Sequence, residues 1–499
     1  MQKTSDRLTK KTRIMNLSKA NLAGVLTPGV VKPAADIFSL PEKVLQFGTG
    51  VLLRGLPDYF IDKANRQGLF NGRVVVVKST DAGDSGAFDR QDGLYTLCVR
   101  GIDEGKKVEE NIINSAISRV LSARQQWKEI LQLAHSKDMQ IIVSNTTEVG
   151  IQKVEEDVLA GTPGSFPGKL LAFLYERYKA FGGSPESGMI VIPTELIVDN
   201  GPKLATIVKE LAVFNKLEDK FGDWLEEQCS FCSSLVDRIV PGKPDAATLA
   251  RLEQDLGYSD ELLAISEVYR LWAIEGDDKV RSVLSFAAAD AGVVIASDIE
   301  IYRELKLRLL NGVHTLSCGL AVLAGFPTVK HAMDDADFSA FVADLMLKEI
   351  APNIPYEQLS LAEARDFGLK VLDRFRNPQI QHQWISITMQ YSSKMKMRVV
   401  PVLLSHYQEK PLPHIVLGFA AYLLFMKGQS GPVTDDRAGY FSELWKKEPD
   451  VVVTTVLKDR GLWGADLTEL PGFEAAVRES LQTLMNKGAV TALAQLNMK

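Results

Sequence analysis

The feature that most constrains the fold is a series of short, almost uniformly apolar runs with helical patterns between them. Residues 73–78 (RVVVVK) carry valine on both faces, as expected of a strand that is covered on both sides of a sheet. Similar runs lie at 44–48, 139–143 and 188–192, and helical patterns lie at 51–67, 124–136 and 168–181. Strands and helices that alternate at this short spacing predict a parallel, doubly wound α/β sheet.

Helical periodicity replaces this alternation after about residue 200. The helical segments lie at 203–221, 259–270, 298–324, 335–350, 359–375 and 473–496. We therefore predict an α/β domain over residues 41–270 and a mainly helical domain over 271–499. The polar and basic start of the chain predicts an N-terminal extension over 1–40 that is partly mobile, with Met15 as an alternative start.

Composition and charge exclude several classes of protein. The 499 residues carry a net charge of −6 and no long basic run, so binding to nucleic acid has no electrostatic support. The apolar run at 414–426 is too short to span a bilayer, and the first residues do not resemble a secretory signal. Four cysteines are too few for a disulfide framework, which favours a reducing, cytoplasmic location without a membrane partner.

Cys229 and Cys232 form a lone CxxC motif. Because no second pair and no histidine cluster follows at the spacing of zinc ligands, we expect these cysteines to pack in the core and we expect no metal. The apolar helices of the second half are compatible with either a monomer or a homodimer.

The segment VLQFGTGVLLRG, residues 44–55, has the strand–turn–helix pattern of a pyrophosphate-binding loop. Gly48 permits a tight turn, and Gly50 lets backbone N–H groups approach a phosphate. Leu53 stands at the third glycine position, which predicts a wider separation of helix and strand. Arg54 opposes the helix dipole, so an anion is expected to neutralise it. The residues alone support a structural turn equally well.

Polar residues also follow two other predicted strands, and ligands of open α/β sheets lie beyond such carboxyl ends. SNTTEVG follows the strand at 139–143, which would place Thr147 and Glu148 against a ribose or nicotinamide. TELIVDNG follows the strand at 188–192, which would place Asn200 against a substrate oxygen. Ordinary polar loops are the alternative. The strand at 73–78 ends without a carboxylate at its tip, so the residues do not separate NAD from NADP.

A helix predicted near residues 301–324 carries three polar residues on one side. Lys306, Asn311 and His314 lie at about 0°, 140° and 80° around an α-helical axis and spread over roughly 12 Å along it. An extended six-carbon chain is long enough to contact all three, whereas a single atom is not. The periodicity alone slightly favours the alternative, an amphipathic helix whose polar side faces water.

The segment KLRLLNGVH (306–314) has the pattern K-x-x-x-x-N-x-x-H, which resembles the signature of the polyol-specific long-chain dehydrogenases, the mannitol dehydrogenase family. The resemblance extends over nearly the whole chain from about residue 42. It includes FGTGVLLRG (47–55), QDGLYTL (91–97), SNTTEVGI (144–151) and the Asp199-Asn200 pair. The family implies a Rossmann-like, dinucleotide-binding domain over 41–270 and a mainly helical substrate and catalytic domain over 271–499.

Carried over residue by residue, the family pattern makes Lys306 the general acid/base of a hydride transfer. The catalytic set that the resemblance implies is Lys306, Asn200, Asn311 and His314. A later family stretch, YSSKMKMR (391–398), adds basic residues to the substrate site. The implied substrate-binding set is Asn200, Asn311, His314, His382, Lys394 and Arg398, and its basic members would bind a carboxylate.

The resemblance also implies a nicotinamide dinucleotide and no metal. The cofactor loop of the family is G-x-G with a variable third position, so Leu53 is expected there. The implied cofactor-binding residues are Phe47, Gly48, Thr49, Gly50, Val51, Arg54, Thr147 and Glu148. The family implies NAD, and the missing acid after residues 73–78 leaves NADP open.

The segments QFGTGVLLRG, SNTTEVGI and YSSKMKMR look most like family members that act on sugar acids. The resemblance thus implies the NAD-dependent, reversible reduction of a keto-uronate, tagaturonate to altronate, in hexuronate catabolism, with a small sugar acid as the partner. Reduction of fructuronate or oxidation of a mannitol-type polyol is the nearest alternative. An alternative of another class is a non-catalytic protein that senses dinucleotides.

Overall fold

The computed structural model describes residues 15–79, 86–146, 149–407 and 412–498. The chain forms two compact units. The first, called the α/β unit, comprises the residues up to Arg100 together with Val108–Ile299. The second, called the helical unit, comprises Gly101–Lys107 and Glu300–Lys499.

The strands of the described residues are short, and most lie in the α/β unit. They are β1 (Met15–Asn16), β2 (Val30–Val31), β3 (Glu42–Phe47), β4 (Arg73–Lys78), β5 (Tyr95–Asp103), β6 (Lys106–Asn114), β7 (Ile117–Ser122), β8 (Ile141–Ser144), β9 (Ile190–Pro193), β10 (Ser230–Phe231), β11 (Ser234–Asp237), β12 (Tyr258–Ser259), β13 (Ala264–Glu267), β14 (Leu271–Glu275) and β15 (Val293–Ala296).

The central sheet of the described residues has six parallel strands in the order β10-β9-β8-β3-β4-β7. Alternate side chains of a strand face opposite sides of a sheet. In β4, Val74 and Val76 enter one apolar cluster, and Val75 and Val77 enter another. Both faces of the sheet are therefore buried, as its uniform valine content predicted.

Three smaller sheets complete the described part of the α/β unit. β13, β5, β6 and β2 form one sheet, and β11, β14 and β15 form a second. β1 pairs with β12 in a parallel, two-stranded sheet.

The described helices of the α/β unit lie between and after these strands. They are α1 (Val51–Gly55), α2 (Pro57–Arg66), α3 (Gly86–Arg90), α4 (Trp127–Leu133), α5 (Phe166–Phe181), α6 (Asn200–Phe214), α7 (Asp219–Glu227), α8 (Ala246–Leu256) and α9 (Asp278–Val283). Short 3₁₀ turns lie at Lys19–Gly24, Ala35–Ser39, Pro185–Ser187 and Ser285–Ala289.

The helical unit contains α-helices interrupted by π-helical and 3₁₀ segments. The α-helices are α10 (Glu300–Leu305), α11 (Val313–Leu323), α12 (Val329–Met333), α13 (Ala336–Asp344), α14 (Leu361–Phe375), α15 (Trp384–Ile387), α16 (Tyr391–Arg398), α17 (Val400–His406), α18 (Pro413–Phe425), α19 (Ala438–Leu444), α20 (Pro449–Lys458), α21 (Arg460–Trp463), α22 (Phe473–Lys487) and α23 (Ala489–Asn497). Lys306–Gly312 and Leu345–Ile350 are π-helices, and Ala351–Asn353 and Leu467–Glu469 are 3₁₀ turns.

The predicted fold class, a parallel doubly wound domain followed by a mainly helical one, is confirmed. The units divide between Ile299 and Glu300, whereas the sequence placed the boundary near residue 270. The reason is that β14 and β15 pair in a sheet with β11 and so belong to the α/β unit. Among the described residues, no helix has the length and apolar character needed to cross a membrane.

Several predicted helices differ from those in the structure: 203–221 and 473–496 are each divided between two helices, and 51–67 and 259–270 differ as well. Residues 51–67 form two helices, because the backbone breaks at Leu56 and α2 restarts with Pro57 in its first turn. The segment 259–270 contains β13, which pairs with β5 in a parallel arrangement. Since β13 is short and its partner is distant in sequence, local periodicity gave no sign of it.

Candidate active site

The glycine loop of the α/β unit connects β3 to α1. The N–H of Gly48 donates to the carbonyl of Val77 at 3.1 Å, and the backbone of Gly48 has a φ of 128°. A Cβ there would lie 2.9 Å from Leu53 Cδ1 and 3.0 Å from the carbonyl oxygen of Asn145. Leu53 thus fills the space beside a glycine that no other residue could replace without strain.

The accessible part of this loop is its tip. Gly50 is exposed, and a Cβ built on it meets no atom within 4 Å. Thr49 and Val51 are half-buried. Phe47 is a core residue whose ring lies 5.1 Å from that of Phe166, so its side chain is not available to a ligand.

Arg54 turns into the interior instead of towards the loop tip. Its side chain is buried, and Nη1 donates to the carbonyl of Leu262. The guanidinium also lies over the ring of Tyr95, 5.3 Å from its centroid. Arg54 therefore makes its contacts inside the α/β unit, and the cofactor contact predicted for it stays a prediction.

The carboxyl ends of β8 and β9 are joined by a buried carboxylate that the sequence reasoning missed. Glu195 accepts from Ser144 Oγ at 3.0 Å and from the N–H and hydroxyl of Thr146 at 2.8 and 2.9 Å. This arrangement fixes the segment that leads to Thr147 and Glu148. Those two predicted cofactor contacts lie outside the described residues.

Asn200, for which a catalytic and substrate-binding role was predicted, lies in a network of hydrogen bonds at the start of α6. Its amide nitrogen lies 2.9–3.1 Å from the carbonyls of Pro193, Glu195 and Ser234, and its amide oxygen accepts from the N–H of Ser234. Asn200 is 1% exposed. Since an amide has two N–H donors, its donors are already engaged and none is left for a substrate oxygen.

In the helical unit, the winding changes at Lys306. α10 ends at Leu305, and the π-helix Lys306–Gly312 precedes α11. In an α-helix, the side chains of residues i and i+5 point in directions about 140° apart. In a π-helix, with its i→i+5 hydrogen bonds, the same two residues are separated by about one full turn. Lys306 and Asn311 therefore lie on the same side of the helix, closer in direction than the α-helical geometry predicted.

Both residues are half-buried. The carbonyl of Asn311 accepts from the hydroxyl of Thr315 at 2.7 Å. Within the described part of the chain, the side-chain amide of Asn311 makes no hydrogen bond, so it can serve a ligand. Asn311 thus differs from Asn200, whose amide is fully used.

Four basic side chains meet one turn further along, and we call His314, His382, Lys394 and Arg398 the basic cluster. The ring of His314 stacks on that of Phe375 with centroids 4.2 Å apart, and it lies edge-on to His382 at 5.3 Å. Burial, together with the charges of His382, Arg374, Arg398 and Lys394, holds the pKa of His314 well below its usual value.

The other members of the basic cluster are likewise unfavourable places for positive charge. Burial and Lys394 lower the pKa of His382. Burial and then Arg398 lower the pKa of Lys394, and burial lowers the pKa of Arg398. No carboxylate of the described residues forms an ion pair with these four side chains. An anion placed among them would relieve the repulsion.

Two of these cations are oriented by neutral groups. Arg398 Nη1 donates to the hydroxyl of Thr315 at 3.1 Å, while its buried Nε lacks a partner among the described residues. Lys394 Nζ donates to the carbonyl of Ile387 at 2.9 Å. Both side chains are half-buried, and each keeps unused donors for a ligand.

Arg308 is a buried cation beside the basic cluster that the sequence analysis did not single out. Its Nη1 donates to the carbonyls of Met397 at 2.6 Å and Arg398 at 3.1 Å. Its Nε pairs with Glu304 at 2.9 Å. Arg308 thereby fixes the end of α16 against the π-helix and so positions Arg398. A cation in an otherwise apolar helical run was the signal available in the sequence.

The sequence predicted no metal site and core positions for Cys229 and Cys232. Among the described residues, no group of three or more His, Cys, Asp or Glu side chains could hold a metal ion. Cys229 and Cys232 are free and buried, and burial raises the pKa of each thiol to about 12.

Comparison with known proteins agrees with this division of the chain. Residues 42–285 match the Mannitol dehydrogenase Rossmann domain, and residues 298–485 match the Mannitol dehydrogenase C-terminal domain. The altronate oxidoreductase of Bacillus subtilis (strain 168) is 41% identical over 91% of this chain and 95% of its own length. That of Yersinia enterocolitica is 37% identical over 91% of this chain and 97% of its own.

Solved structures show the same fold. The Pseudomonas fluorescens mannitol 2-dehydrogenase, in a ternary complex with NAD and D-mannitol, has a TM-score of 0.66 at 24% identity and covers 97% of this chain and 100% of its own. A D-sorbitol dehydrogenase in substrate-free form has a TM-score of 0.80 at 21% identity and covers 96% of this chain and 100% of its own. At these identities the likeness concerns the fold alone.

The fold and the matched domains define a dehydrogenase, an oxidoreductase that acts on CH–OH groups. The chain belongs to the mannitol dehydrogenase family. The resemblance and the enzyme class predicted from the sequence are thus confirmed.

The conformation of the glycine loop gives a first testable prediction. Gly48→Ala forces a side chain into a positive-φ position and against Leu53, which should reduce the free energy of unfolding by about 1–3 kcal/mol. Gly50→Ala is the matched control, because its Cβ meets open space, and it should cost less than about 1 kcal/mol. Urea unfolding measures both, and equal midpoints for the two variants would contradict the assigned roles.

Proposed function

We propose that this protein catalyses the NAD-dependent, reversible reduction of tagaturonate to altronate by hydride transfer, in hexuronate catabolism. Relatives that are 41% and 37% identical over 91% of the chain carry the name altronate oxidoreductase. The basic cluster of the helical unit is the observation that favours a sugar acid over a neutral polyol as the substrate.

A carboxylate is the group that this cluster best accommodates. Lys394 and Arg398 are half-buried cations whose hydrogen bonds, within the described residues, go to carbonyls and a hydroxyl. Asp435 is the acid whose charge acts on Lys394, but its oxygens accept from the N–H groups of Ser392 and Arg437. A substrate carboxylate would therefore supply charge-assisted hydrogen bonds that the protein itself does not provide.

The α/β unit supports the dinucleotide part of the proposal. The loop at Gly48 and Gly50 presents an open backbone at the carboxyl edge of a parallel sheet, where a pyrophosphate can be bound. The related mannitol 2-dehydrogenase was solved with NAD. We propose NAD as the cofactor, with NADP as the alternative that direct measurement decides.

Lys306 and Asn311 supply the proton and the hydrogen bond that ketone reduction requires. A bound reduced nicotinamide supplies the hydride that reaches the carbonyl carbon. Protonated Lys306 gives its proton to the carbonyl oxygen, so that the ketone becomes a secondary alcohol and the lysine becomes neutral. Asn311 donates from its unused amide to the same oxygen as negative charge develops there. His314 contacts a neighbouring hydroxyl in this proposal, and the reverse steps oxidise altronate.

Removal of the proposed acid should separate catalysis from cofactor binding. Lys306→Ala is expected to lower kcat by about 10²–10⁴-fold and to leave the affinity for NADH unchanged. Lys330→Ala is a suitable control, because Lys330 also lies on a helix of this unit and pairs with Asp334. Steady-state kinetics and NADH titration measure the two effects, and near wild-type turnover of Lys306→Ala would refute the proposed acid.

The carboxylate clamp predicts a selective effect on the charged substrate. Lys394→Met should raise the KM for tagaturonate by about 10–100-fold, as expected for a lost charge-assisted hydrogen bond, and change the KM for fructose little. Lys396→Met is the matched control, since Lys396 is exposed two residues later on α16. Kinetics with tagaturonate, fructuronate and fructose, each with NADH and NADPH, provide the comparison.

The same panel tests the alternatives. Equal KM changes for tagaturonate and fructose in Lys394→Met would remove Lys394 from the clamp. Higher kcat/KM for fructuronate or for fructose in the wild-type enzyme would identify one of the sister activities. NADH binding without turnover of any of the three would indicate a dinucleotide sensor.

A further inference from the structure

A fully buried carboxyl group lies next to the glycine loop. Asp58 in α2 is 0% exposed. The side-chain amide of Gln46, in β3, donates through Nε2 to the carbonyl of Gly48 at 3.4 Å and to Asp58 Oδ2 at 3.4 Å. One amide group thus connects Asp58 directly to the loop proposed to bind a pyrophosphate.

Hydrogen bonding around Asp58 is incomplete. Three buried atoms have no partner among the described residues, namely Gln46 Oε1, Arg54 Nε and Asp58 Oδ1. A buried carboxylate with an unpartnered oxygen is costly. A protonated carboxyl has an O–H donor, and Gln46 Oε1, on the amide that contacts Asp58, lacks a donor. The unpaired atoms therefore favour the neutral form of Asp58.

The charged groups around Asp58 come from three elements. Arg54 of α1 favours its ionised form, whereas Asp62, one turn later in α2, disfavours it. Tyr95 of β5 faces the same region, and the negative charge of ionised Asp58 raises the pKa of the Tyr95 hydroxyl. Burial is the largest influence and raises the pKa of Asp58 to about 7, against the hydrogen bond from Gln46 and the charge of Arg54.

We propose that Asp58 is a positioning residue for the dinucleotide: its neutral form supports binding at the Gly48 loop, and its ionisation weakens that binding. The physical reason is electrostatic. A carboxylate that reaches the loop through one amide group repels an anionic pyrophosphate with little screening. The inference rests on the proposed dinucleotide site and assigns it a control by pH.

The sign of the pH dependence follows from linkage. Below neutral pH, Asp58 is protonated and the affinity for the dinucleotide is highest. As the pH rises through about 7, Asp58 loses its proton and the affinity falls. Binding of the dinucleotide favours the protonated form, so protons are taken up on binding near neutral pH.

The test is titration of the full-length protein with NADH between pH 6 and pH 9. The wild-type Kd should rise about tenfold over this range, as expected from unscreened repulsion. Asp58→Asn replaces the carboxyl group with a neutral amide that can still donate a hydrogen bond. Its Kd should therefore stay at the low-pH value of the wild type over the whole pH range. Asp62→Asn is the matched control on the same helix, because Asp62 contacts Ser115 and Arg66 and not the loop. It should keep the fall in affinity, with the midpoint moved to lower pH, because the charge of Asp62 disfavours ionisation of Asp58.

Calorimetry gives a second reading that needs no variant. Titrations of wild-type protein with NADH at pH 7, in buffers with different ionisation enthalpies, should show net proton uptake. A wild-type Kd that is constant with pH and free of proton uptake would overturn the inference. So would Asp58→Asn with the pH dependence of the wild type. Folded wild-type protein that binds no NADH at any pH would overturn the proposed function, and this inference with it.

Discussion

The positive charge gathered around His314 sets the conditions that the rest of the helical unit must meet. Bringing basic side chains together in a partly dehydrated place is unfavourable, because each loses hydration and repels the others. Burial lowers the pKa values of His314, His382, Lys394 and Arg398, and for the first three the charge of other members of the cluster lowers them further. Such a cluster must be held in place by contacts with neighbouring groups, and an anionic ligand would stabilise it.

Those supports are visible in the helices around the cluster. Arg308 binds the carbonyls at the end of α16 and so holds Arg398 in place. Phe375 stacks on His314 and restricts its ring. The π-helix brings Lys306 and Asn311 to one side, immediately before α11. In the proposed function, proton transfer, oxygen binding and carboxylate binding thus fall to consecutive turns and one neighbouring helix.

In the α/β unit, by contrast, most of the polar side chains described above form hydrogen bonds with other groups of the protein. Glu195 organises the ends of β8 and β9, and Asn200 joins β9 to β11. The exposed tip at Gly50 is the open part of the glycine loop. Asp58 is one of the exceptions, since one of its oxygens is buried without a partner beside that loop.

Much of this architecture could be predicted from the sequence, and the failures have physical causes. The valine-rich strands were predictable because a strand buried on both faces has few polar positions. The buried contacts of Asn200 and Arg54 were not predictable, because they are made to chain segments far away, at Ser234 and Leu262. The π-helix was not predictable, since an α-helical wheel assumes constant winding. The roles of Lys306, Asn311, His314, His382, Lys394 and Arg398 stay predictions, and those of Thr147 and Glu148 fall outside the described residues.

The most direct test of the central claim is a crystal structure of the enzyme with NAD and altronate. The account predicts that the sugar-acid carboxylate lies within hydrogen-bond distance of Lys394 or Arg398, with the reacting hydroxyl at Lys306 and Asn311. A carboxylate that faces solvent, or that binds a group outside the basic cluster, would contradict it.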